Sequence, residues 1–209
     1  AIPRSFAVMS HATATVTRKE LAIAMRALAQ ADVVQLLWTG ISHFDGTNYT
    51  ISARDCDARA MSPLDTLKVS SDDVLAGRSR AARAHPSLPL HMKLHAETGQ
   101  ACCAVVHNTN ASWLAAQRAF GVQGTADALP AWDMNTAMLA TPGDVSRFSM
   151  PYGAGLDRDA ASCCGPQTKV AVLPNRATAV FGDSLQQVVM RAIYLNFAIE
   201  TMRAVAATG

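Results

Sequence analysis

The chain has 209 residues, half of them hydrophobic, which is enough for one or at most two domains with a full core. Charged residues make up 16%, below the roughly 25% of ordinary soluble domains, and the net charge of +2 comes from scattered arginines. No basic run interleaves with aromatics and no stretch of 18 or more apolar residues occurs, so the sequence argues against nucleic-acid binding and against a membrane span.

Residues 1–16 lack the apolar block of a signal peptide and read as a terminal arm. Thr17-Arg-Lys-Glu20 is a capping-box pattern, and Leu21, Met25, Leu28 and Ala29 recur at helical spacing, which predicts a helix over about Arg18 to Ala31. Val33 to Trp38 reads as strand. Asp45-Gly46 marks a hairpin turn between Ile41-Ser-His-Phe and Asn48-Tyr-Thr-Ile-Ser. Ser70-Ser-Asp-Asp73 is a helix start or turn, and Arg78 to His85 reads as a basic loop. Pro89 to Glu97 reads as a helix that puts His91 and His95 on one face, four residues apart.

Ala101-Cys-Cys-Ala-Val-Val106 has the continuous small-apolar character of a strand buried on both faces. Ala111 to Phe120 is helical in pattern, and Met150 to Gly155 is turn-rich. Lys169 to Gly182 reads as strand, tight turn and strand. Ser184 to Ala207 then forms a long helix with Leu185, Val188, Val189, Ile193, Leu195, Phe197 and Met202 on its apolar face. The five cysteines include two adjacent pairs, Cys102/Cys103 and Cys163/Cys164. Strand neighbours point to opposite faces, so the pairs read as reduced thiols of a cytoplasmic protein. No C-x-x-C motif suggests structural zinc.

Several of these segments, in this order, resemble the class II aldolase/adducin-type family, which includes fuculose-phosphate aldolases and ribulose-phosphate epimerases. The similar stretches are residues 18–29, Leu67 to Leu75, Pro89-Leu-His91, Ala104-Val-Val-His107, Met150-Pro-Tyr152 and the block from 165 to 195. The resemblance covers residues 17–209. It implies a single three-layer α/β/α domain with a central, mainly antiparallel sheet flanked by helices, assembled as a homo-oligomer, most simply a tetramer.

The resemblance also implies a site, and this chain departs from it. The family places two histidines of a His-x-His motif and a third in Asn-His-Gly on a catalytic divalent metal. Here His107 remains, Thr109 stands in the second position and Arg176 in the third. A permanently protonated guanidinium does not ligate a cation. The acid/base glutamate before the Pro-Leu-His helix has no counterpart in Pro86-Ser-Leu-Pro89. Each lost ligand removes several kcal/mol from a binding energy of roughly 10–16 kcal/mol for good protein zinc sites.

The expectation is therefore an enzyme with no metal and no other cofactor, acting as a lyase, isomerase or cyclase on a small carbonyl-containing substrate. His107, Arg176 and Thr109 are the candidate catalytic residues. His91, His95, Tyr152 and Ser42 are the candidate substrate-binding residues, Ser42 through a loose match of Thr39-Gly-Ile-Ser42 to the family's phosphate turn. The alternatives for these residues are bland: His107 bonded at a sheet end, Arg176 an ordinary turn arginine, Tyr152 a core side chain. Two alternatives for the whole chain are a non-catalytic, adducin-like assembly module and a metal-dependent aldolase or epimerase with unconventional ligands.

Overall fold

The protein is described from a computed structural model, which covers residues 16–34, 39–107, 109–110, 113, 145–147, 164–173 and 177–208. Helix α1 spans Arg18–Gln30, and its capping box is complete: the Thr17 side chain accepts from Glu20 N while a Glu20 carboxylate oxygen accepts from Thr17 N at 2.7 Å. Strands β1 (Gly40–Phe44) and β2 (Asn48–Ser52) form the expected hairpin. Asp45 Oδ1 closes its turn by accepting from Thr47 N and Asn48 N, and Gly46 supplies the positive φ of 95° that the turn needs. A short 3-10 turn, Pro63–Asp65, leads into β3 (Thr66–Ser70), and α2 (Ser71–Leu75) starts at a second capping box between Ser70 and Asp73.

The stretch expected to be loop from Arg78 to His85 contains a single helical turn, α3 (Ser79–Ala82), because small and basic residues tolerate helix when flanking elements pin them. Helix α4 (Leu88–Thr98) follows and ends at Gly99, whose φ of 66° makes the left-handed cap. Then come β4 (Cys102–Val106), β5 (Val145–Arg147), β6 (Val170–Leu173), β7 (Ala177–Gly182) and α5 (Leu185–Ala207). Val33 and Val34 are buried but not in a strand, and the rest of the strand expected up to Trp38 lies outside the described residues. Most of the helix expected over Ala111 to Phe120 lies outside them as well.

Among the described residues the strands form one seven-stranded sheet in the order β3-β2-β1-β4-β7-β6-β5. Every pairing is antiparallel except β5 with β6. Strand β4 shows how the layers arise. Cys102, Ala104 and Val106 face α1 and α5, whereas Cys103 and Val105 face the α4 side with Leu90 and Leu94. Both faces are therefore apolar, and the adjacent cysteines are free thiols in different clusters. Tyr49, Ile51, Leu67 and Val69 continue the α4 side onto Ala84 and Leu88. This is the three-layer α/β/α sandwich that the sequence implied. Phe197 corrects one detail: it is 59% exposed, because it lies on the face of α5 turned from the sheet. No described helix is long and apolar enough to cross a membrane.

Candidate functional site

The end of the sheet where β1 begins and β4 stops gathers most of the polar chemistry. Antiparallel pairing sets Gly40 opposite Val105, so Thr39 and His107 continue the two strands side by side. Thr39 fastens them: its Oγ1 accepts from His107 N at 3.0 Å and donates to His107 O at 3.4 Å. Side-chain alternation along β4 carries His107 to the α4 face, two residues beyond Val105. His107 is half-buried, and Thr109 is exposed two residues later.

The start of α4 brings a second histidine to the same place. The backbone of His85 donates to Ser52 O at 3.0 Å, which ties it to the end of β2. Its Nδ1 lies 2.6 Å from Ser87 Oγ and also accepts from Ser87 N at 3.3 Å. A nitrogen that accepts from a backbone N–H carries no proton of its own, so the Ser87 hydroxyl donates to it. This pair sits directly under Gly40, where a Cβ would come within 3.0 Å of His85 Nδ1 and 3.2 Å of Ser87 Oγ. Glycine is the residue that lets β1 approach this closely. His85 and Thr39 then line a cavity of about 440 Å³ with Asp32, Asp55, Cys56 and Arg59. Such a volume falls within the range of about 300–1,000 Å³ common for small-molecule sites.

Behind this end lies a buried polar chain. Ser42 Oγ is 2.7 Å from His91 Nδ1 and 2.8 Å from His95 Nε2, and His95 Nδ1 is 2.7 Å from the carbonyl oxygen of Gln100. All three side chains are essentially inaccessible. Burial pushes His95 down to about 4 and His91 well below the usual imidazole range, so both rings are neutral near pH 7. Phe44 stacks on Tyr49 at 4.5 Å, and both rings pack beside His95.

The structure thus brings His107 to one sheet end with Ser42, His91 and His95 immediately inside it. Arg176 and Tyr152 lie outside the described residues. His85 and Ser87 were not singled out from the sequence; the available signal was a His-x-Ser spacing just before an apolar helical run. Among the described residues no three His, Cys, Asp or Glu side chains gather as a cation requires. With threonine and arginine at two of the three positions that the resemblance gives to metal ligands, the residues present do not fit the family's metal.

Comparison with known proteins supplies the relationship. The aldolase II superfamily protein from Pseudomonas syringae superposes with a TM-score of 0.73 at 15% identity, covering 92% of this chain and 76% of that one. The L-fuculose 1-phosphate aldolase from Glaciozyma antarctica PI12 gives 0.73 at 16% identity over 100% of this chain and 80% of that one. The sugar-phosphate aldolase from Thermotoga maritima gives 0.69 at 13% over 92% and 95%. At these identities the likeness is one of fold. No curated protein matches the sequence. The Class II Aldolase and Adducin N-terminal domain matches residues 19–202, nearly the whole length, and the chain belongs to that family.

Proposed function

We propose that the chain is an enzyme that acts on a small carbonyl-containing compound as a lyase, isomerase or cyclase, with protein side chains in place of the family's metal. The observation that carries this reading is a contrast at one sheet end. Two of the three positions that the resemblance gives to metal ligands hold Thr109 and Arg176, while His107 and the His85–Ser87 pair flank Thr39 and Gly40 at the sheet end, where Thr39 and His85 border a cavity of small-molecule size.

The reactions proposed share one demand. Negative charge gathers on a carbonyl oxygen while a proton leaves a neighbouring hydroxyl or carbon. In this proposal Arg176 meets the charge, since its guanidinium stays protonated and its fork suits oxygen anions. The Thr109 hydroxyl adds a hydrogen bond, and the His107 imidazole moves the proton. With its proton committed to His85, the Ser87 hydroxyl oxygen serves as an acceptor for a substrate hydroxyl. Carbon–carbon cleavage balances on these groups. The hydroxyl proton passes to His107, the bond's electron pair moves onto the second carbonyl as an enolate, and a proton returns to carbon.

The similar fuculose and sugar-phosphate aldolases favour a hydroxy-carbonyl substrate. The proposed assembly is a homo-oligomer, most simply a tetramer. Met190, Phe197 and Val205 support it, because they leave an exposed apolar face along α5. The reading places the protein in the cytoplasm, with reduced cysteines and no nucleic-acid or membrane partner.

The test is turnover of hydroxy-aldehydes and hydroxy-ketones by the parent and three variants, with folding checked by melting temperature. His107→Ala and Arg176→Ala are each expected to lose about 10² to 10³ in kcat, the usual cost of removing a preorganised polar group. Arg176→Lys is expected to fall as well, because the point charge lacks the fork. Folded His107→Ala and Arg176→Ala proteins that turn over as fast as the parent would defeat the proposal.

A further inference from the structure

We propose that the Ser42–His91–His95 chain is a tautomer lock, which holds His91 Nε2 unprotonated as the acceptor for a hydroxyl or N–H group of a bound hydroxy-carbonyl compound.

The direction of every hydrogen bond in the chain follows from one end. A backbone carbonyl can only accept, so the proton in the 2.7 Å contact between His95 and Gln100 O belongs to His95 Nδ1. Neutral His95 then presents a lone pair at Nε2, and the Ser42 hydroxyl donates to it across 2.8 Å. A hydroxyl has one proton. With that proton committed, Ser42 Oγ accepts from His91 Nδ1–H at 2.7 Å. Neutral His91 therefore carries its proton on Nδ1, and Nε2 is a bare lone pair.

That lone pair is buried and has no hydrogen-bond partner among the described residues. An unsatisfied buried acceptor is destabilising, a penalty that a donating ligand removes. His91 lies one helical turn after Ser87, with its N–H bonded to Ser87 O at 3.0 Å. Gly40, which packs on His85 and Ser87, is two residues from Ser42 on the same strand face. His85 and His107 are both close enough to act on His91 electrostatically. The ring thus stands between the sealed Ser42–His95 pair and the polar group at the sheet end. His91 is the contact residue in this scheme, while Ser42 and His95 are positioning residues.

The choice of ligand class rests on the function proposed above, but the lock does not. It is read in the ligand-free chain by ¹⁵N NMR of the imidazole nitrogens at neutral pH. The expected spectrum has His91 and His95 both in the Nδ1–H form. An Nε2–H form, or an even mixture, at His91 overturns the lock. Ser42→Ala should release His91 into a mixture of tautomers, and Ser42→Thr, which keeps the hydroxyl, should restore the single form. A Ser42→Ala protein that keeps the single form also overturns it. Titration with dihydroxyacetone, with acetone as the hydroxyl-free control, then tests the acceptor role. The His91 Nε2 resonance should move with dihydroxyacetone and stay with acetone. Equal response to both, or to neither, overturns the acceptor role whether or not the protein shows turnover.

Discussion

Gly40 lies against the His85–Ser87 pair so closely that its missing Cβ sets the geometry of the candidate site. Gly40→Ala forces a methyl group to within 3.0 Å of His85 Nδ1 and 3.2 Å of Ser87 Oγ, so the bonded pair must shift to admit it. Overpacking of this kind costs about 1–3 kcal/mol. The variant should unfold at lower urea with an unchanged denaturant slope, and any turnover should fall with it. A midpoint equal to the parent's would mean that the 2.6 Å contact between His85 and Ser87 adjusts freely and organises nothing.

Acid should weaken the fold before its carboxylates titrate. An unfolded histidine binds a proton near pH 6.5, whereas burial holds His95 down to about 4. Between those values the unfolded chain carries more protons at this site than the folded one, so the His95 contribution to stability falls as pH falls and levels off below about 4. His95 alone should cost about 2 kcal/mol between pH 7 and pH 5. His91 and His43, also lowered by burial, act in the same direction. Urea midpoints at the two pH values check this, and His95→Gln should flatten part of the slope. Stability that is flat or rises from pH 7 to pH 5 contradicts the neutral, buried assignment.

The apolar face of α5 makes a prediction about assembly. Met190, Phe197 and Val205 are 39%, 59% and 57% exposed and recur about every two turns. Light scattering coupled to size exclusion should give a multiple of the 22.1 kDa chain mass, and Phe197→Glu should lower it. A parent protein that runs as a monomer at micromolar concentration refutes the homo-oligomer.

Much of the fold was legible because its signals are local. The Thr17–Glu20 capping box, the Asp45-Gly46 turn and the unbroken apolar run of β4 each name an element without reference to the rest of the chain. The pairing of His91 with His95 was also readable, as two residues one turn apart. Their shared partner Ser42 comes from β1, 49 and 53 residues away, and only the sheet register makes that contact. His85 and Ser87 escaped for a similar reason: their importance comes from Gly40 overhead and from the cavity beside them. Phe197 looked like core because a helical pattern gives periodicity but not the width of the face a sheet covers.

Metal content measured together with turnover tests most directly whether this aldolase-fold protein works without its family's metal. The purified chain, dialysed extensively and analysed for zinc, manganese and iron, should hold far less than one ion per chain. Its turnover of a hydroxy-carbonyl substrate should be unchanged by chelator. One ion per chain, lost on chelation together with activity and restored with it on adding the metal back, would contradict the account.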